Sequence, residues 1–164
     1  MNLFSLTRRW LTLIAVGCVA MLAYGLYLQH VDGLVPCPMC IVQRYALILV
    51  ALVAGITAFF PRGWLQTAGV IKMGVFAAFG AFVAARQSLL QWNPPEIMSC
   101  GRDFYGMIES FPLRRAIPMI FKGGGDCSKV DWTFLGLTIA NWAFLSFSGI
   151  LVVAILLLIN RQPR

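Results

Sequence analysis

Charge is scarce in this chain. Charged residues fill 12% of its 164 positions, against about 25% in an ordinary soluble domain. Only six residues are acidic, and none of them interrupts the long apolar runs. Internal repeats, low-complexity tracts and linkers are also missing, so residues 1–164 read as a single domain. The alternating pattern of a membrane β-barrel strand is absent. What is present is apolar: 60% of the chain belongs to the AVILMFWYC set. A compact chain this short cannot hide that much apolar surface from water. The composition excludes a soluble globule and a disordered chain, and it leaves an integral membrane protein. The net charge is +7, but the cations are scattered between apolar runs. Nucleic-acid binding needs a basic stripe on a soluble face, so no nucleic-acid partner is expected.

Four runs have about the 20 residues that a hydrocarbon core of roughly 30 Å requires. They are Leu11–Leu28, Ile41–Phe60, Trp64–Ala85 and Trp142–Ile159. Lipid offers the backbone no hydrogen-bond partner, so each run is expected to be a helix. The expected fold is an all-α membrane protein, a bundle of four transmembrane helices. The first run follows Arg8 and Arg9 but is longer than a usual signal core and lacks a clear cleavage site. It reads as a retained span.

Four spans place both termini and the Pro61-Arg62-Gly63 turn on one side. Loops 29–40 and 86–141 fall on the other. Arg8, Arg9, Arg62, Arg161 and Arg164 share the first side with no acid, whereas Asp32, Glu96, Asp103, Glu109, Asp126 and Asp131 lie on the second. The positive-inside rule then puts both termini in the cytoplasm. Trp10, Trp64, Trp132 and Trp142 lie near span ends, as interfacial anchors do. In the long loop, Leu113, Ala116, Ile117 and Ile120 keep helical spacing, which predicts a short helix on the membrane surface. Pro118 would disturb it. The Gly123-Gly124-Gly125 run predicts a mobile stretch before Cys127.

Cys18 falls inside the first span and reads as a small core residue. Cys37, Cys40, Cys100 and Cys127 all map to the non-cytoplasmic side, where disulfides persist in bacteria. Cys37 with Cys40 and Cys100 with Cys127 are two natural pairs, although four cysteines allow three pairings. Cys37-Pro-Met-Cys40 closes almost no chain, so as an inert staple it would stabilise little. Such short pairs are more often redox-active. It is also half of a zinc-ribbon pattern, but Cys100 and Cys127 lack the spacing of the other half. Arg44 is four residues after Cys40, on the same helix face. It either snorkels to the headgroups or stabilises an anion beside Cys40. Lys72 lies about 12 Å into the third span and reads as snorkelling to the cytoplasmic side. Two non-redox classes fit the same composition: a tetraspan protein braced by disulfides, and a small carrier using thiols as metal ligands.

The joint pattern resembles the disulfide bond formation protein B (DsbB) family of bacterial inner-membrane thiol oxidases. The likeness runs through Pro36-Cys37-Pro-Met-Cys40-Ile-Val-Gln-Arg44, Ala85-Arg86-Gln87-Ser-Leu-Leu-Gln91, Cys100, Gly125-Asp126-Cys127 and Trp132-Thr-Phe-Leu-Gly-Leu. Ala140 departs from it, because many relatives have proline there. The resemblance implies four redox cysteines, Cys37, Cys40, Cys100 and Cys127. It implies a periplasmic DsbA-type partner attached through Cys100, and a membrane quinone (ubiquinone or menaquinone) as electron acceptor beside Cys40 and Arg44. Cys37 would resolve the pair to a disulfide. The loop pair, in a segment rich in proline and glycine, is expected to be the one a bulky soluble partner reaches first.

Overall fold

The computed structural model describes residues 3–34, 36–61, 63–93, 125–128, 130 and 132–160. Cys100, the expected surface helix over 113–120, Gly123, Gly124 and several of the charged residues used for orientation lie outside them.

Among the described residues, four helices are long and apolar enough to cross a membrane. Helix α1 spans Leu3–Val31, α2 Pro38–Phe59 and α3 Trp64–Trp92. A single turn, α4 (Gly125–Ser128), and a two-stranded hairpin, β1 (Thr133–Phe134) and β2 (Leu137–Thr138), precede α5 (Ile139–Ile159). Consecutive long helices run antiparallel. Late α1 meets early α2 at Gly25, Gln29 and Arg44, and early α1 meets late α2 at Ala15 and Gly55. Gln43 meets Gln87 while Thr57 meets Gly69. Gln91 meets Thr138 while Gly74 meets Ala154.

The helix ends have local causes. Past α1 the chain turns at Gly33, whose φ of +68° suits glycine. Pro38 opens α2, where its missing N–H costs nothing. Phe60 is extended ahead of Pro61, which ends α2. Two ends differ from the sequence expectation. Helix α3 continues past Ala85 to Trp92, because Gln87, Ser88 and Leu90 are packed inside the protein. Hydropathy marks the edge of the lipid, whereas the helix stops only where Pro94 makes Asn93 unfavourable for it. Helix α5 begins at Ile139 rather than Trp142, because Thr138 Oγ1 accepts from Asn141 N–H at 3.3 Å. The hairpin was not expected from the sequence. Its turn places Leu135 at φ +53° and Gly136 at φ +77°, and Leu-Gly lacks the usual turn signature.

Helices α2, α3 and α5 close around Val50, Ala54, Val70, Met73, Ala77 and Phe147, with Leu11 and Cys18 of α1 joining them. Small residues allow this approach. A Cβ on Gly80 would overlap the edge of the Phe147 ring, and one on Gly69 would overlap Thr57. Outward positions such as Leu13, Val16, Leu52, Ile56, Val75, Phe79 and Ile155 are exposed and apolar. In a membrane, lipid covers that surface. Lys72 is exposed on α3.

Candidate functional site

The late turns of α1 and α3 and the first turns of α2 and α5 meet at one end of the bundle, where the C-x-x-C pair sits. Cys37 is the N-cap of α2, and its sulfur accepts from Cys40 N–H at 3.4 Å. The three-residue offset is almost one helical turn, which brings both side chains to one face. Their sulfurs are 3.0 Å apart. Among the described residues, Cys18, Cys37, Cys40 and Cys127 are not joined in disulfides.

Cys127 is only 1% exposed. It packs with Cys37, Met39, Val83 and Leu90. This differs from the accessible loop position read from the sequence: the α4 turn docks against α3 and α2 and seals the thiol. Hydrogen bonding with Cys127, then with Cys40, and burial push the Cys37 thiol far above the ordinary thiol range. In the reduced pair, Cys37 is therefore the sulfur that keeps its proton.

Two glutamines complete the site, and sequence reasoning gave neither a role. Gln87 Nε2 lies 3.2 Å from Cys40 Sγ and 3.4 Å from Cys37 Sγ. Gln43 Nε2 donates to Gln87 Oε1 at 2.7 Å. Both amides are buried. A signal was available: uncharged amides placed among apolar span residues need partners, and Gln43 lies three residues after Cys40.

Arg44 is half-buried. Its Nη1 donates to Gln29 Oε1, and its Nη2 donates to the Gly25 carbonyl oxygen at 3.1 Å. The guanidinium is therefore held by α1 rather than snorkelling, and it lines the same cavity as Cys40. That cavity measures about 510 Å3. Gln29, Gln43, Arg44, Gln87 and Gln91 are among its polar lining residues, and Met21, Leu22, Leu47 and Phe147 among its apolar ones. Thr138 Oγ1 donates to Gln91 Oε1 at 2.7 Å and ties the hairpin to α3 across the mouth.

Tyr24, Trp132, Phe134 and Trp142 form a continuous aromatic row beside the cavity, with successive ring centroids 6.2, 6.0 and 6.1 Å apart. Trp142 Nε1 donates to the Phe134 carbonyl oxygen at 3.1 Å. Trp132 and Trp142 are thus cavity walls as well as span-end residues. Among the described residues, no group of three or more His, Cys, Asp or Glu side chains is arranged to hold a metal ion.

The family model described as Disulfide bond formation protein DsbB matches residues 7–157. Disulfide bond formation protein B of Polaromonas naphthalenivorans (strain CJ2) is 66% identical over 166 residues, spanning 100% of this chain and 98% of that protein. The protein of the same name from Polaromonas sp. (strain JS666) is 66% identical over 160 residues, spanning 98% and 95%. A more distant relative from Azoarcus sp. (strain BH72) is 53% identical over 154 residues, spanning 90% and 89%. With likeness of that depth along nearly its whole length, this four-span protein belongs to the DsbB family of disulfide-bond-forming membrane proteins.

Proposed function

We propose that the protein reoxidises a soluble periplasmic dithiol oxidase of the DsbA type and passes the electrons to a membrane quinone. One observation carries this reading: the Cys37 and Cys40 sulfurs lie 3.0 Å apart in the wall of a cavity built between membrane helices. A thiol pair has no need of such a position unless its oxidant is dissolved in lipid. In the same reading, the chain lies in the bacterial inner membrane with both termini cytoplasmic and the four redox cysteines periplasmic. The scarcity of acid on the terminal side supports that orientation.

Thiol–disulfide exchange moves electrons without changing the number of disulfides. A reduced partner exchanges with Cys100 and leaves oxidised, so the Cys100–Cys127 pair becomes a dithiol. The contact between Cys127 and Cys37 supports the next step. The Cys127 thiolate attacks Cys37 Sγ, the Cys37–Cys40 bond breaks, and Cys40 leaves as thiolate. Cys100 then displaces Cys37 and restores the Cys100–Cys127 disulfide. Cys37 takes up a proton.

The cavity fits a quinone. Its polar lining residues offer amides and a guanidinium to ring oxygens, and its apolar ones suit an isoprenoid chain. A bound quinone would supply a lipid-soluble acceptor of two electrons and two protons. Arg44 carries five N–H donors, and two hydrogen bonds to α1 fix its plane. It can steady negative charge both at Cys40 and on an oxygen in the cavity.

The test is a thiol titration of the purified protein with a reduced thioredoxin-fold partner, with and without added ubiquinone or menaquinone. Partner thiols are expected to disappear catalytically only when quinone is present. Disulfides that neither the partner nor quinone affects would identify a structural brace.

A further inference from the structure

Gln87 has no part in the electron route above, yet it touches both sulfurs of the pair. It is 3% exposed, and its partner Gln43 is 4% exposed. A carboxamide has an acceptor end and a donor end. Gln43 holds the acceptor end of Gln87 at 2.7 Å. The NH2 end is left facing sulfur, 3.2 Å from Cys40 and 3.4 Å from Cys37, while Oε1 is farther from Cys40 at 3.7 Å. Two electrons entering the Cys37–Cys40 bond, supplied by the loop dithiol, break it. One sulfur is protonated at Cys37 and the other remains an anion at Cys40. A sulfur anion offers no proton and needs donors, and apolar span residues provide none.

We propose that Gln87 is a catalytic residue whose amide NH2 stabilises the Cys40 sulfur anion, and that Gln43 is a positioning residue that fixes which end of that amide meets the sulfur. This rests on the reading of Cys37 and Cys40 as a redox pair. The contrasting role is structural: a Gln43–Gln87 hydrogen bond that only joins α2 to α3. The two roles differ in what they do to the redox equilibrium. A donor to the anion favours the reduced pair and makes the disulfide more oxidising. A helix tie acts equally on both redox states.

The experiment uses full-length protein carrying Cys100→Ala and Cys127→Ala, which leaves one redox pair. It is equilibrated in anaerobic dithiothreitol buffers, and the Cys37–Cys40 disulfide is counted by alkylation and mass. Gln87→Met keeps the length of the side chain and removes the donor. It is expected to lower the equilibrium constant for reduction about tenfold or more, which is about 30 mV more negative for each tenfold. Alkylation of Cys40 by iodoacetamide at neutral pH is expected to slow in parallel. Gln87→Leu is the second variant and decides the matter if the first does not fold. Gln43→Met breaks the same interhelical bond but keeps the Gln87 donor, so its shift is expected to be smaller. Equilibrium constants within threefold of the parent for both Gln87 variants would overturn the proposal. So would equal shifts for Gln43→Met and Gln87→Met. If the parent pair forms no Cys37–Cys40 disulfide at any potential, the redox reading itself fails, and the role of Gln87 fails with it.

Discussion

Cys18 and Cys40 are thiols in one bundle with opposite surroundings. Cys18 is fully buried in the hydrophobic cluster that also holds Leu11, Ile14, Val50 and Ala54. Cys40 lies near one end, beside a second sulfur, an amide donor and a cavity that also holds a guanidinium. Apolar enclosure disfavours a thiolate, whereas donors and a nearby cation favour it. The contrast teaches that a buried cysteine becomes a candidate redox centre through the donors and second sulfur brought to it. Both positions are cysteines inside the bundle, Cys18 buried and Cys40 half-buried.

The largest effect expected from this contrast is at Cys40. Cys40→Ala should abolish quinone-dependent oxidation of the partner, followed as loss of partner thiols. Next is Arg44→Met. Loss of a charge-assisted interaction of about 1.5–3 kcal/mol should slow turnover roughly ten- to a hundredfold, with exchange at Cys100 preserved. Wild-type rates at all quinone concentrations would reduce Arg44 to an interfacial anchor.

A third measurement separates the two members of the pair. The Cys37 thiol lies above the ordinary range, with Cys127 the first cause. An ordinary thiol is largely ionised by about pH 9, but Cys37 in the reduced protein should still resist alkylation there. A raised value keeps the proton on as pH climbs, so reactivity should appear only at higher pH. Cys127→Ala should bring that onset down, as peptide mapping of the alkylated sites would show. The smallest effect is expected at Cys18. Cys18→Ala should cost about 1 kcal/mol in unfolding measurements and leave turnover unchanged. A large fall in turnover there would break the contrast.

The bundle was legible because lipid makes helix the necessary state of a long apolar run. Arg86 ended the third run on paper, yet α3 continues for two further turns because its buried face packs against protein rather than lipid. Those turns carry Gln87 and Gln91, so misplacing the helix end also hid part of the site. The pairing of Cys37 with Cys40 was readable from spacing, because an i,i+3 relation at a helix start is local geometry. The approach of Cys127 to Cys37 was not readable, because it depends on docking a single turn formed 90 residues later. The i,i+4 relation of Arg44 to Cys40 was readable within α2, and both residues line the cavity. The ties of Arg44 to Gln29 and Gly25 join two different helices, and no periodicity within α2 encodes them.

All the polar site groups occupy one end of the bundle, from Gln29 late in α1 to Thr138 at the start of α5. Helix α3, with 29 residues, is about 43 Å long at 1.5 Å per residue, well beyond a hydrocarbon core of about 30 Å. Its Gln87 end therefore stands near the aqueous boundary, with most of the bilayer thickness on the far side. In the proposed reaction, electrons enter from thiols at that boundary and leave to an acceptor held at the same depth. No charge has to traverse the membrane field during turnover. Work against the transmembrane voltage is about 2.3 kcal/mol per charge per 100 mV for full crossing, and almost none of it falls on this step. Disulfide formation by this protein is thus expected to run at the same rate in energised and de-energised vesicles, so long as oxidised quinone is supplied.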